Sequence, residues 1–469
     1  MNLMTAKRWN LMLPVVFAAL LLCRPLPAFE RPGNLPQPSG TDKVPPQALR
    51  VEGTDIVNAK GETVLLRGPN FGGWLYWEGG VLEFPNVSEH IVRREWTAQM
   101  GAELVDRFFQ GITENLIQED DFRRVKDMGY NTVCIPFHHR YVQAGTETLL
   151  DQAIRWAGEN ELYLLLNMQC APGGQNPDYQ SDSDGEARLW TSDEYRRQYL
   201  QAWEILATRY RDNPWLIYEV LNEPVPTSTD RLLRLYREVI AVIRQAEAGG
   251  LTHVIALDGY TYSTEFQDFD RETVRGNIAL CPHFFQYSIP NIEAYLDRIK
   301  NVRDRLKVPL IMGSFDDTET IPYLEQAGIG WCVWNYKSVN ELPPFYSMPE
   351  DHPWRRYWWN NVTAQVRRSP DLLERVTRLI QNSGLSTDLK DELMQSLRSS
   401  RRMDKTALLG LAERYPEHKR ELGRVWSETI KTLELTKQDL LTEALKNLSD
   451  EQLDRLLKSL QTRYFRISP

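Results

Sequence analysis

Eight short apolar runs, separated by longer amphipathic stretches, constrain the fold of this chain more than any other feature. The runs have the length and apolar content of buried strands, and the stretches between them carry apolar residues at helical spacing. Eight strands with helices between them predict a closed parallel (β/α)8 TIM barrel. The predicted strands are residues 64–68, 132–137, 162–168, 216–221, 253–258, 278–281, 308–312 and 330–334.

The turn after the first predicted strand argues against an open doubly wound sheet. Such a sheet would place a glycine-rich phosphate-binding turn there, and the sequence Asn70-Phe71-Gly72-Gly73-Trp74 does not supply one. The 469 residues are enough for one barrel and a second unit. The formal net charge of −9 argues weakly against a nucleic-acid partner.

The N-terminus has the pattern of an export signal, predicted over residues 1–28. Lys7 and Arg8 precede an apolar run over residues 11–23, and Leu26-Pro27-Ala28 is a plausible cleavage site. The mature protein is therefore expected to be secreted, extracellular or periplasmic, with no membrane association beyond the export signal. The alternatives are an uncleaved anchor and lipid attachment at Cys23, which the bulky Leu22 disfavours. Residues 29–48, rich in Pro and Gly, predict a tether.

Composition changes near residue 365. We predict a barrel over residues 49–365 and a separate C-terminal all-α helical unit over residues 366–469, rich in Leu, Lys, Arg and Glu at helical spacing. Ser369-Pro370 predicts a helix start. Thr436 and Ser449 are each predicted to open a further helix, the latter with Gln452 in a capping box. The leucines are expected to form the unit's own core rather than a partner-binding stripe, and any protein partner is unknown.

Four cysteines follow the export signal, and each lies in or at the end of a different predicted strand: Cys134, Cys170, Cys281 and Cys332. Export permits disulfides, but these positions favour buried free thiols acting as small apolar side chains. Their spacing shows no metal-binding motif. We therefore predict no metal and no cofactor.

Several motifs, taken in order, resemble glycoside hydrolase family 5, the cellulase-like clan, and especially its exo-β-1,3-glucanase branch. Residues 67–74 (RGPNFGGW) resemble that branch's RGVNLGGW, and residues 171–176 (APGGQN) resemble its APGGQN loop. Residues 119–122 and 129–131 resemble its second-helix signature. The similarity covers roughly residues 50–365 and implies a poly- or oligosaccharide partner, acted on or bound.

The central match is Asn222-Glu223-Pro224, after the fourth predicted strand. The resemblance implies that Glu223 is the general acid/base and that Asn222 contacts a sugar hydroxyl. A carboxyl is needed there because the leaving oxygen must be protonated and a water later deprotonated. The resemblance also implies that His283, in the sixth-strand motif, and Trp334, in the eighth-strand motif, bind substrate.

The resemblance fails at the nucleophile. The family carries a second carboxylate after the seventh strand, in a GEFG motif, whereas this chain reads Gly313-Ser314-Phe315-Asp316. A serine hydroxyl is neutral near pH 7 and cannot stabilise the cationic transition state as a carboxylate does. The hypothesis from the sequence is therefore a hydrolytically impaired protein, a possible pseudoenzyme.

Three further departures lie at positions where the family surrounds the nucleophile or binds sugar. Cys134 replaces a second-strand arginine, Gln169 replaces a third-strand histidine, and Phe285 replaces a sixth-strand tyrosine. Loss of the carboxylate alone would leave a buried arginine without a counter-charge, which costs several kcal/mol. Loss of the arginine together with the carboxylate removes that penalty. The substitutions therefore indicate a single site that has lost its nucleophile and the residues around it as a group.

Three functions remain open from the sequence. The first is an impaired family 5 barrel that binds a β-glucan-type glycan. The second is an active glycoside hydrolase whose nucleophile is displaced to Asp316 or Asp317, or whose mechanism is inverting. The third is a structural or interaction protein that uses the C-terminal helices.

Overall fold

The computed structural model describes residues 45–285, 291–338, 345–366, 369–400, 411 and 414–467. The predicted export signal and most of the predicted tether lie outside the described residues. Among the helices of the described part, none is both long and apolar enough to cross a membrane. Residues 44–469 form one compact unit.

Eight parallel strands form the barrel, which confirms the predicted fold class. They are β1 (Arg67–Pro69), β2 (Thr132–His138), β3 (Tyr163–Cys170), β4 (Leu216–Glu219), β5 (Val254–Asp258), β6 (Ile278–Cys281), β7 (Ile311–Phe315) and β8 (Gly330–Val333). A two-residue extension of β6, His283–Phe284, follows Pro282. Each strand lies within a few residues of its predicted position.

The ring of strands closes on itself. Strands β2 to β6 pair in sequence order, β7 pairs with β8 and with the β6 extension, and β8 pairs with β1. Single bridges complete the circle, between Asn70 and Cys134 at the β1–β2 seam and between Leu280 and Leu310 at the β6–β7 seam. The carboxyl ends of all eight strands therefore meet at one face, where barrels of this kind carry their sites.

Helices surround the barrel and bury their apolar faces against the outside of the strands. They are α1 (Glu89–Met100), α2 (Ala102–Leu116), α3 (Glu119–Asp127), α4 (Leu149–Glu159), α5 (Asp193–Tyr210), α6 (Thr229–Ala246), α7 (Ile292–Leu306), α8 (Ile321–Gln326) and α9 (Pro353–Trp358). One of them, α5, begins after Ser192, whose side chain accepts a hydrogen bond from the amide of Tyr195. Capping of this kind satisfies an amide that the first helical turn leaves without a partner.

A small apolar core fills the inside of the barrel. Cys134, Cys281 and Cys332 belong to it, together with aliphatic residues of β3, β4, β5 and β7. All four described cysteines are buried and free, as the sequence predicted. Burial raises the pKa of the Cys134 thiol well above its ordinary value, so this side chain is a neutral packing group.

A hairpin (Arg50–Glu52 and Asp55–Val57) covers the amino ends of the strands. Leu49 and Ile56 pack into the small core inside the barrel. The amide of Val51 donates to Oδ1 of Asn277, the residue before β6, over 2.6 Å. This end of the barrel is therefore closed, and the open cleft lies at the opposite end.

The C-terminal segment is helical and packs against the barrel. Its described helices are α10 (Pro370–Gln381), α11 (Thr387–Ser400), α12 (Lys419–Lys446) and α13 (Asp450–Lys458). Apolar residues of α10, α11 and the first half of α12 form a separate small core. Leucines from Leu441 to Leu460 instead join the main core of the barrel. The C-terminal helices therefore have a small core of their own and also pack against the barrel, and the predicted separate unit with its boundary at residue 365 stays a prediction.

The capping predictions in this segment had different outcomes. Ser369 caps α10 with Pro370 in the first turn, and Ser449 and Gln452 form the predicted capping box of α13. The prediction that Thr436 opens a helix was wrong, because α12 runs through it without a break. The hydroxyl of Thr436 donates to the carbonyl of Thr432 one turn earlier, over 2.9 Å, as threonines inside helices do.

Candidate active site

A cleft of about 390 Å³ opens at the carboxyl ends of the strands. This volume lies at the lower end of the range for small-ligand pockets. Its lining combines amide, hydroxyl, carboxyl and aromatic side chains with backbone. The lining residues are Asn70, Tyr76, Glu78, Gly80, Val81, Gln169, Tyr179, Gln180, Asn222, Glu223, Phe285, Ser314, Asp316, Trp334, Asn335 and Ser338.

The backbone of Glu223 is held in an unusual conformation directly after β4. Its φ angle is 46°, in the left-handed region that non-glycine residues rarely adopt. Two side chains bind this peptide on either side. The amide of Glu223 donates to Oδ2 of Asp258 over 2.7 Å, and Nδ2 of Asn176 donates to the carbonyl of Glu223 over 3.0 Å. The neighbouring loops therefore fix where the acid side chain points.

The APGGQN loop supports the same segment from the β3 side. Nε2 of Gln175 donates to the carbonyl of Asn222 over 2.9 Å and to that of Gln169 over 2.7 Å. Nδ2 of Asn167 donates to Oδ1 of Asn222 over 2.9 Å. Because Gln175 is completely buried, its amide ties the β3 loop rigidly to the β4 loop. This contact joins the APGGQN loop to the Asn222-Glu223-Pro224 motif.

The carboxylate of Glu223 has one partner on each oxygen. Nδ1 of His283 lies 3.1 Å from Oε1, and Nε2 of Gln180 donates to Oε2 over 3.0 Å. Burial opposes a charge on His283, but the carboxylates of Asp258, Glu219 and Glu223 outweigh it and raise the pKa of His283 well above its ordinary value. His283 therefore holds the carboxylate of Glu223 from the β6 extension.

The two predicted aromatic residues, Trp334 and Phe285, both line the cleft. Trp334 follows β8, and its ring lies over Gly72, where a Cβ atom would come within 2.0 Å of the ring. Only glycine leaves space for the indole at this position. Phe285 lies at the end of the β6 extension and also lines the cleft, as does Gln169 at the end of β3.

Ser314 and Asp316 both line the cleft, whereas Asp317 does not. Ser314 lies in β7 beside His283 of the β6 extension and is 5% exposed. The carboxylate of Asp317 accepts hydrogen bonds from the amide of Glu319, over 3.0 Å, and the hydroxyl of Thr320, over 2.9 Å. Asp317 therefore caps the turn after β7, and Asp316 is the carboxylate of this pair that faces the cleft.

The sequence analysis missed Glu78, a carboxyl in the loop after β1. The hydroxyl of Tyr76 donates to its Oε2 over 2.5 Å. Burial raises the pKa of Glu78 to about 7; the Tyr76 hydrogen bond lowers it and the charge of Glu223 adds to the rise. The signal that was available is its position in a loop at a strand's carboxyl end, where the catalytic groups of barrels lie.

The chemistry of the cleft suits a neutral, hydroxyl-rich ligand. Among the described residues, its lining includes amides, hydroxyls, carboxylates and the indole of Trp334, and no lysine or arginine. Carboxylates accept hydrogen bonds from sugar hydroxyl groups, and side-chain amides both donate to them and accept from them. An aromatic face packs on apolar C–H surface. A (β/α)8 barrel with such a cleft and a positioned carboxyl belongs to the class of carbohydrate-active barrels.

Comparison with known families identifies the group within that class: the chain belongs to glycosyl hydrolase family 5. The family model described as Cellulase (glycosyl hydrolase family 5) matches residues 95–340, just over half of the chain. The matched range includes Asn222, Glu223, His283, Ser314 and Trp334. The resemblance stated from the motifs is therefore confirmed at the level of the family.

The relatives carry names of β-glycosidases. A β-xylosidase of Phanerodontia chrysosporium is 30% identical over 64% of this chain and 63% of its own length. A probable glucan 1,3-β-glucosidase A of Aspergillus fumigatus is 30% identical over 44% of this chain and 52% of its own length. The chain thus spans less than two thirds of the length of either relative.

Solved structures resemble the barrel at low sequence identity. An endogalactoceramidase is 20% identical with a TM-score of 0.48, over 63% of this chain and 76% of that one. The catalytic domain of a Thermobifida fusca endoglucanase is 17% identical with a TM-score of 0.43, over 63% and 88%.

Proposed function

We propose that this protein binds a neutral β-linked glucan or related oligosaccharide in the cleft and hydrolyses it poorly or not at all. The observation that carries the proposal is the presence of Ser314 in β7, lining the same cleft as Glu223. By its motif, Ser314 stands where the family has its nucleophile. A retaining glycosidase needs two carboxyl groups about 5–5.5 Å apart, and a serine hydroxyl is not an anion near neutral pH.

The sugar class is inferred from the cleft and from the relatives. The absence of lysine and arginine from the described lining of the cleft disfavours uronates and sulfated sugars. The relatives named above are a β-xylosidase and a glucan 1,3-β-glucosidase. A glucose or xylose unit in β linkage is therefore the first ligand to test, with Trp334 as the stacking surface and Asn222 and Glu223 as polar contacts. His283, which the resemblance expects to bind substrate, is 1% exposed and lies against Glu223 rather than in the lining of the cleft.

The surroundings of Ser314 agree with a site that no longer holds a nucleophile. Cys134, where the resemblance expects an arginine, is completely buried in the core of the barrel and its thiol is neutral. A glutamate introduced at residue 314 would therefore lack a cation on the β2 side. Restoration of activity should need the cation as well as the carboxylate.

The decisive experiment measures hydrolysis of aryl β-glucosides, aryl β-xylosides and β-1,3-glucans, together with binding of the same glycans by calorimetry. The variants are wild type, Glu223→Gln, Ser314→Glu and Ser314→Glu/Cys134→Arg. Glycan binding without turnover in wild type, with activity gained in a Ser314→Glu variant, supports the proposal. Wild-type activity that Glu223→Gln abolishes would contradict the proposal that hydrolysis is impaired. Absence of any glycan binding would contradict the proposed class of ligand.

A working hydrolase is the second candidate, and Glu78 favours it. A carboxyl whose pKa is raised to about 7 is half protonated at neutral pH and can act as a general acid. With Glu223 on the same cleft, Glu78 would supply the second carboxyl of an inverting pair. Asp316 is the other carboxylate available for this role. Wild-type activity that is abolished by Glu78→Gln but kept in Asp316→Asn would select Glu78.

Export of the chain is part of the same proposal and rests on residues 1–28 alone. Expression of the full chain in a bacterial host, followed by N-terminal sequencing of the protein from the periplasm and medium, tests it. A mature N-terminus near residue 29 is expected. Recovery of the intact N-terminus in the membrane fraction would instead indicate an uncleaved anchor.

A further inference from the structure

Four metal-ligating side chains converge beneath Glu223. Glu219 ends β4, Asp258 ends β5, Cys281 ends β6 and His283 lies in the β6 extension. One ligand atom from each lies within 4.8 Å of all the others, and each residue is at most 1% exposed. The register of the barrel brings them together, since Asp258 pairs with Cys281 across the β5–β6 ladder.

The cluster holds two carboxyl groups beside one imidazole, and two of its oxygens have no hydrogen-bond partner. Oε2 of Glu219 and Oδ1 of Asp258 are buried without a hydrogen bond. Nε2 of His283 lies 3.2 Å from Oε1 of Glu219 and 3.7 Å from Oδ2 of Asp258. Buried carboxylate oxygens without partners are costly, and a divalent cation would compensate them.

Strand β7 lies directly against this cluster at Gly313. Gly313 has no side chain, and a Cβ atom there would lie 2.4 Å from Sγ of Cys281 and 2.8 Å from Nε2 of His283. The thiol and the imidazole nitrogen therefore approach each other over bare backbone. Any larger residue at 313 would displace both.

We propose that Glu219, Asp258, Cys281 and His283 bind a Zn²⁺ ion as a four-coordinate structural site. One sulfur, one nitrogen and two oxygen donors form a set that zinc accepts, whereas calcium and magnesium prefer oxygen donors alone. Bond lengths of about 2.0–2.3 Å in a tetrahedron place the ligand atoms roughly 3.3–3.8 Å apart. The 3.7 Å from His283 Nε2 to Oδ2 of Asp258 lies within this range and the 3.2 Å to Oε1 of Glu219 lies just below it. The wider pairs need to close by about 1 Å.

A bound zinc ion would hold Glu223 in place through two of its ligands, His283 and Asp258. With Nε2 of His283 bound to zinc, its Nδ1–H donates to Oε1 of Glu223, which is the usual second partner of a zinc-bound histidine. Asp258 also accepts the backbone amide of Glu223. All four positions around the ion are filled by protein and the site is closed to solvent, so its role is structural. The proposal does not depend on which glycan the cleft binds.

Because the cluster is buried, the metal must enter during folding. The full chain is therefore unfolded and refolded with Zn²⁺, with Co²⁺ or with chelator, then passed through a desalting column. We expect about one zinc per chain by mass spectrometry and a higher Tm than after chelator. The cobalt form should show a thiolate-to-cobalt charge-transfer band and the intense visible bands of tetrahedral cobalt.

The matched pair of variants is Cys281→Ser and Cys170→Ser. Both thiols are buried at the ends of barrel strands, but Cys170 lies outside the cluster. Cys281→Ser should lose the charge-transfer band and weaken zinc affinity at least about tenfold, while Cys170→Ser keeps both. Wild type without zinc after refolding would overturn the proposal, even if Cys281→Ser fails to fold. Zinc retained by Cys281→Ser at unchanged affinity would also overturn it.

Discussion

Asp258 accepts the backbone amide of Glu223 over 2.7 Å and so holds the candidate acid residue at a φ of 46°. A left-handed conformation costs a non-glycine residue about 1–2 kcal/mol. The fold imposes it here because β5 continues past its last pair with β4, Ala256 with Glu219, and ends at Asp258, whose buried carboxyl is the acceptor. The side chain of Glu223 thereby points between His283 and Gln180 rather than along the strand.

Loss of the Asp258 carboxylate should release this peptide. Asp258→Ala leaves the amide of Glu223 buried without an acceptor, so we expect a loss of about 1–3 kcal/mol in the free energy of unfolding and weaker glycan binding. Urea denaturation and calorimetry, both with chelator present, measure the two effects without any contribution from metal. The control Asp304→Ala removes an exposed carboxylate and should change neither. Unchanged glycan affinity in Asp258→Ala would show that the bond does not position Glu223.

The contact between Gly72 and Trp334 provides a second prediction. Gly72→Ala places a methyl group within 2.0 Å of the indole ring, so the ring must move away from its place in the cleft. We expect a loss of about 1–3 kcal/mol in stability from overpacking and at least about tenfold weaker glycan binding. Calorimetric titration with the best glycan ligand measures the second effect.

The matched control for this substitution is Gly423→Ala in α12, where nothing lies within 4 Å of the added methyl group. It should raise the stability by about 0.5–1 kcal/mol through helix propensity and leave glycan binding unchanged. If Gly72→Ala bound glycan as wild type does, Trp334 would not be part of the binding surface.

A buried ion pair joins the β8 loop to the start of α3. Nζ of Lys337 lies 3.2 Å from Oδ2 of Asp121, and the two side chains are 1% and 2% exposed. Lys337→Met should cost about 3–5 kcal/mol, because Asp121 remains charged and buried without its partner. The double variant Lys337→Met/Asp121→Asn should lose less than the two single variants together. Urea denaturation of wild type, the two single variants and the double variant gives the coupling energy between Lys337 and Asp121. If the losses in the free energy of unfolding simply added, the prediction would be wrong.

Glu78 predicts a pH dependence of stability. Its pKa is raised by burial from 4.5 to about 7 in the folded state, so between these values the unfolded chain has released a proton that the folded chain still holds. The free energy of unfolding should therefore fall as pH rises from about 4.5 to 7, by up to about 3 kcal/mol from this group. Glu78→Gln should remove that part of the slope.

The measurement is urea denaturation at half-unit pH steps, compared between wild type and each variant so that all other groups cancel. Glu204→Gln, in an exposed position of α5, serves as the control and should follow the wild-type profile. A Glu78→Gln profile parallel to wild type would mean that Glu78 titrates at its ordinary pKa. A general-acid role for this residue would then be lost as well.

Gly111 in α2 tests the docking of the C-terminal segment. A Cβ atom at Gly111 would lie 2.4 Å from Cδ1 of Leu457 in α13. Gly111→Ala should therefore destabilise the protein by about 1–3 kcal/mol, and the added Leu457→Ala should cost less in this background than in wild type. If the two helices did not meet in solution, Gly111→Ala would instead stabilise the protein by about 0.5–1 kcal/mol. Thermal unfolding distinguishes the two signs.

Much of the barrel could be predicted because its signals are local. The eight strands are short apolar runs, and their order around the ring follows from the right-handed crossovers of parallel strands. The burial of Cys134, Cys281 and Cys332 could be predicted from their places in those runs. The prediction that a helix begins at Thr436 failed because a single sequence does not distinguish a threonine inside a helix from a threonine that caps one.

The chain alone determined the family, the barrel and the position of Glu223 after the fourth strand, since motif order and hydrophobic periodicity are properties of neighbouring residues. Tertiary structure alone decided that Glu78 faces the same cleft, that Asp258 fixes the peptide of Glu223, and that Glu219, Asp258, Cys281 and His283 meet. Glu78 and Glu223, for example, are 145 residues apart along the chain. Their proximity depends on the closure and register of the strands, which no local pattern of residue types encodes.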